Sequence, residues 1–111
     1  MSTYKIGVVG DRHTILGFKS LGVFIFPVLD ADEADKTIAK LAKEGFAIIY
    51  VTEQIAKQIP ERIQFYRNKP LPAITLIPSN RGTLGIGMEE IKKSVEKAIG
   101  VDILFESEGE E

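Results

Sequence analysis

The sequence has no cysteine and a single histidine, His13. The first absence removes disulfides, thiolate nucleophiles, thiolate-bound zinc and iron–sulfur clusters, and fits a reducing cytosol. The scarcity of imidazole takes most transition-metal sites with it. Excess positive charge is also lacking: 14 basic residues face 16 acidic ones, a formal net charge of −2, so no bulk cationic field draws in a phosphate backbone or anionic lipid, and nucleic acid is excluded as a partner class. The apolar run near the start, Ile6-Gly-Val-Val9, is too short for a signal peptide, and no later stretch approaches membrane-spanning length, so direct membrane insertion is not expected. What is present is 44% hydrophobic and 27% charged residues in 111, enough to bury one ordinary core.

Strand and helix signals alternate along the whole chain. Ile6–Val9 reads as a buried strand stopped by Gly10-Asp11, with Asp11 placed to cap a helix over Arg12–Ser20 and Gly22 to end it in a left-handed conformation. Val23–Val28 reads as a second strand. Asp30, followed three residues later by Glu33, then Ala34, Ile38, Leu41 and Ala42 at helical spacing, predicts the clearest helix. Phe46–Val51 has no polar interruption, as expected of a central parallel strand covered on both faces. Thr52 is placed to cap the next helix, whose stripe of Ile55, Ile59 and Ile63 continues through Tyr66 and meets Pro60, where the helix must kink or restart. Pro72–Ile77 reads as a fourth strand, and prolines at or beside its ends favour an edge. Ile91, Val95, Ala98 and Ile99 stripe a last helix over about 88–104. With right-handed crossovers, this predicts a small Rossmann-like three-layer α/β domain over residues 1–105. Its four-stranded parallel sheet, in the order 2-1-3-4, is flanked by helices and followed by the carboxyl-terminal helix. Residues 106–111, Glu-Ser-Glu-Gly-Glu-Glu, form an acidic tail too polar to pack.

No catalytic set emerges. Gly10-Asp11-Arg12-His13-Thr14 sits where α/β folds bind ligands, yet it has neither the further glycines of a dinucleotide loop nor the Gly-Lys-Ser/Thr of a P-loop, and a turn with a helix cap accounts for it. His13 has no partners in sequence, and neither Ser20 nor Ser79 stands in a Gly-x-Ser-x-Gly elbow. A receiver-like signalling domain would share the architecture but wants an aspartate ending the third strand. Here that strand ends Val51-Thr52-Glu53, and a fifth strand is missing. The alternative function left by these residues is a small-anion-binding or receiver-like module using the Gly10–Thr14 turn.

The last quarter is different: it carries apolar residues and no chemistry. Pro70-Leu-Pro-Ala-Ile74 leads through a loop rich in glycine, Gly82 to Gly87, into the helix from Met88. Ile91, Val95 and Ile99 suffice to dock that helix on its own sheet. Val101, Ile103, Leu104 and Phe105 go beyond that need, as a strand-like closing of the core or as an apolar handle for another protein. Glu89 with Lys93 and Lys92 with Glu96 mark the solvated side.

These landmarks resemble one family over nearly the whole length. They are Gly10-Asp11 with Thr14 and Gly17-Phe18, Gly22-Val23, Thr52-Glu53, Tyr66-Arg67, Pro70–Ile74 with Ile77-Pro78, Gly85-Ile-Gly-Met88, and Ala98-Ile-Gly-Val-Asp-Ile-Leu104. Their order and spacing are similar to the F subunit of the V-type and A-type rotary ATPases, also called the ATP synthase F subunit. The resemblance implies a central-stalk protein with no active site and no cofactor. Such a protein binds the coiled coil of the D subunit, contacts the catalytic A/B hexamer through a mobile carboxyl-terminal helix, and helps couple ATP hydrolysis or synthesis to proton or sodium transport. It would be cytoplasmic and peripheral to the membrane. The acidic tail extends past the family's expected end. On this reading the docking surface runs from the fourth-strand exit into the last helix and comprises Ile77, Arg81, Gly85, Gly87, Met88, Ile91, Val95, Ile99, Ile103 and Leu104.

Overall fold

A computed structural model describes residues 5–78 and 88–97. Four strands, β1 (Ile6–Gly10), β2 (Phe24–Pro27), β3 (Ile48–Thr52) and β4 (Ala73–Ile77), form a wholly parallel sheet in the order β2-β1-β3-β4, as the alternation predicts. Between them run α1 (Arg12–Ile15), a 3₁₀ helix (Leu16–Leu21), α2 (Ala31–Lys43), α3 (Glu53–Ala56) and α4 (Pro60–Arg67). A last helix, α5, spans 88–97 within the described residues.

The layers follow from side-chain alternation along the central strands. Val9, Ile49 and Val51 point to one face, where they meet Ile38 and Leu41 of α2 and Ile63 and Tyr66 of α4. Val8 and Tyr50 point to the other, where they meet Ile15, Phe18, Ile77 and, from α5, Ile91. Each fully buried Ile or Leu contributes enough that truncation to alanine costs about 2–5 kcal/mol.

Several boundaries follow local chemistry. Asp30 accepts from the Glu33 amide at 2.8 Å while the Glu33 carboxylate accepts from the Leu29 amide at 2.9 Å, a reciprocal cap at the start of α2. Gly22 and Gly45 hold φ of 81° and 83°, which reverses the chain into β2 and β3 at a conformation that side chains resist. Pro60 opens α4 at its first position, so the helix restarts instead of kinking.

Two expectations are corrected. The helix predicted from Arg12 to Ser20 is α-helical for one turn only and then tightens into 3₁₀ geometry, where Phe18 is buried and Gly17 supplies little helical preference. Thr52 stands at the cap position of α3, but its side chain makes no capping hydrogen bond. Its Oγ1 is buried and has no partner among the described residues.

Candidate interaction surface

The Gly10–Thr14 turn is occupied by its own residues. The Asp11 carboxylate accepts from the Thr14 amide at 3.0 Å, and the Asp11 carbonyl accepts from the amides of Thr14 and Ile15 at 3.1 Å each. A Cβ added to Gly10 would lie 2.5 Å from Thr52 Cγ2 and 2.8 Å from Ile15 Cγ2, so side chains press on the turn from within. His13 is exposed at the surface. The Thr14 and Ile15 amides are thus engaged in a turn and helix cap, with the Asp11 carboxylate seated on the helix start. Among the described residues, no group of three or more His, Asp or Glu is placed to hold a metal.

Four of the ten residues expected in a docking surface lie among the described ones. Ile77 of β4 and Ile91 of α5 are buried together, 1% and 0% exposed, where the helix meets the sheet. Met88 and Val95 lie on the flanks of the same cluster and are half-buried. Helix α5 is therefore seated on the sheet through Ile91, and the Tyr50 hydroxyl is hydrogen-bonded to Ser94 at 2.5 Å. On this helix Glu89, Lys93 and Glu96 face solvent. Arg81, Gly85, Gly87, Ile99, Ile103 and Leu104 lie outside the described residues, as do the loop before α5 and the acidic tail.

Apolar surface also appears where no docking residue was expected. Phe65 of α4 is 53% exposed and borders an open groove of about 790 Å³ lined with Pro60, Glu61, Gln64, Asn68 and Lys69. A second groove of about 350 Å³ joins α4 to Leu76 on the edge strand β4. Both involve α4, on the face of the sheet opposite α5. The signal was available in the spacing: Ile59, Ile63 and Tyr66 form the buried stripe, and Phe65 falls off it. Between α2 and α4, Arg62 forms a bidentate ion pair with Asp35 at 2.8 and 3.1 Å. The donated hydrogen bonds hold the Asp35 carboxyl below the usual carboxylate range and raise Arg62 further.

No helix among the described residues is long and apolar enough to cross a membrane. Residues 6–95 match the family described as ATP synthase (F/14-kDa) subunit. The chain is 57% identical over 100 residues to the F subunit of the V-type ATP synthase of Clostridium perfringens, covering 90% of this chain and 95% of that one. It is 56% identical over 101 residues to the corresponding V-type F subunit of Fusobacterium nucleatum, covering 91% and 96%. It is also 37% identical over 102 residues to the F subunit of the A-type ATP synthase of Methanothermobacter thermautotrophicus, covering 90% and 96%.

Proposed function

The chain belongs to the family of F subunits of V-type and A-type ATP synthases, and from that premise we propose that it is a non-catalytic part of the central stalk of a rotary ATPase. In this role it binds the coiled coil of the D subunit, turns with it inside the catalytic A/B hexamer, and helps couple ATP hydrolysis or synthesis to the transport of protons or sodium ions. It sits on the cytoplasmic side, held to the membrane through the rest of the complex.

The observation that carries this reading is the extent of the match. It runs from β1 into α5, so it takes in the sheet and most of the described part of the last helix together. A transmitting component needs a rigid body and a surface that a partner can grip, and the two-sided core supplies the first. For the second, the coiled coil is seated around the fourth-strand exit and α5. Met88 and Val95 keep part of their apolar surface available there, and Ile77 and Ile91 support the seat from beneath. Arg81, Gly85 and Gly87 extend the same surface, and Ile99, Ile103 and Leu104 carry the contact toward the A/B head.

Co-purification of a tagged copy from its native membranes tests the proposal. Recovery of the D subunit together with the A/B head at moderate salt supports it. A chain that returns alone, with those proteins present but unbound, sends the function back to the Gly10–Thr14 turn, where saturable phosphate or nucleotide binding lost on replacing Asp11 or Arg12 would be the sign of an anion module.

A further inference from the structure

The two ends of the sheet carry opposite charge. In each crossover the helices end on the side of the sheet where the next strand begins, so basic residues suited to helix carboxyl ends collect at the amino edge. Lys19 lies in the last turn of the 3₁₀ helix, Lys40 and Lys43 in that of α2, and Arg67 in that of α4. Lys5 immediately precedes β1 and Lys69 lies between α4 and β4. All six are exposed, and Glu44 is the one carboxylate among the described residues of these turns. The sole ion pair among the described residues, Arg62 with Asp35, involves none of them. At the carboxyl edge stand Asp32 and Glu33, Glu53 and Glu61, each in the first turn of a helix, and they outnumber the exposed Arg12 at the start of α1.

Residues 98–111 carry Asp102, Glu106, Glu108, Glu110 and Glu111 and no basic residue. Taking those five charges from the net −2 leaves residues 1–97 at +3, so the chain divides into a cationic body and an anionic segment. Fourteen residues reach up to about 46 Å when extended, well beyond the roughly 17 Å length of a five-residue strand. The segment leaves the carboxyl-terminal end of α5 and can therefore reach the amino edge whichever end of the sheet lies nearer, while the acidic carboxyl edge repels it.

We propose that the basic amino edge is a docking surface for an acidic segment, and that in the free chain its occupant is the chain's own residues 98–111. The contact is electrostatic and many-sided. An acidic partner that takes the same edge displaces the segment and releases its apolar residues, Ile99, Val101, Ile103, Leu104 and Phe105, together with it.

The absence of cysteine makes a direct test available: Ser107→Cys in the full chain gives one attachment point for a nitroxide. Amide signals of Gly22, Gly45 and Asn68 are expected to broaden, with those of Gly10, Asp30 and Glu53 spared. That broadening is expected to be lost at about 1 M salt, where the screening length falls to about 3 Å. It is likewise expected to be lost in the exposed triple variant Lys40→Gln/Lys43→Gln/Lys69→Gln. No broadening, broadening shared equally by the two edges, or amino-edge broadening that survives both salt and the triple variant would overturn the proposal. Because the free chain is used, the outcome is independent of whether the coiled coil binds.

Discussion

Tyr50 in the middle of β3 and Ser94 on α5, 44 residues apart in sequence, share a hydrogen bond between their hydroxyl groups beside the buried Ile91. This joins the last helix to a central strand by a directional contact as well as by apolar packing, and so defines how α5 sits along the sheet. Tyr50 is 4% exposed, so its hydroxyl has little access to a replacement water. A double-mutant cycle of Tyr50→Phe and Ser94→Ala is expected to show a coupling of about 0.5–1.5 kcal/mol, read from urea midpoints at constant slope. Additive single variants would mean that the hydroxyls contribute separately.

Thr52 offers a stabilising substitution. It is 1% exposed, its hydroxyl has no partner among the described residues, and valine keeps the shape while removing that group. Thr52→Val is expected to gain about 1 kcal/mol, a rise in Tm of about 4–8 °C by thermal unfolding. Gly10→Ala should move the other way by about 1–3 kcal/mol, since its methyl would be forced against Thr52 and Ile15. An unchanged Tm in Thr52→Val would show that the hydroxyl is satisfied in solution.

How much of this was legible beforehand depends on which residues carry the pattern. The unbroken Phe46–Val51 run marked a central strand, because only burial on both faces tolerates it, and the prolines around Ala73–Ile77 marked an edge. The strand limits moved by one or two residues, as at β3, where Gly45 turns the chain and the Ala47 amide is spent on the Lys5 carbonyl. Position alone marks Thr52 as a cap. Its burial against Gly10 depends on two strand ends brought together by the fold, which no local window contains. The docking residues show a further limit. A stripe such as Ile91 and Val95 looks the same whether it packs on its own sheet or on another protein, and only the structure shows that Ile91 is fully covered while Val95 is half-covered.

The Asp35–Arg62 pair makes a pH-dependent contribution of known sign. The Asp35 carboxyl is held below its ordinary value in the folded chain, so the stabilisation is present above about pH 4 and fades as pH falls through the lowered value. Both side chains are about one-third exposed, at 36% and 31%, so the pair is worth about 0.2–1 kcal/mol at neutral pH. Asp35→Asn is expected to lose that amount at pH 7 and progressively less as pH falls below about 4, with denaturant unfolding across that range as the check. A deficit that persists at low pH would assign the loss to packing between α2 and α4.

Docking of the coiled coil and support of the helix should separate by substitution. Val95→Asp leaves Ile91 in place and is expected to weaken binding of the D subunit at least about tenfold, or about 1.4 kcal/mol, in a chain that still unfolds cooperatively. Ile91→Ala instead opens a cavity under α5 and is expected to cost about 2–5 kcal/mol of stability. Unimpaired binding of the coiled coil in a folded Val95→Asp variant would move the seat to another face, and the α4–β4 grooves around Phe65 and Leu76 would be examined next.

The central claim is that this chain grips a coiled coil, and calorimetric titration of the D subunit of the same organism into the purified full chain tests it most directly. Saturable one-to-one binding with a negative heat-capacity change, the sign of apolar surface leaving water, is expected. No binding, with both proteins shown to be folded by circular dichroism, would contradict it.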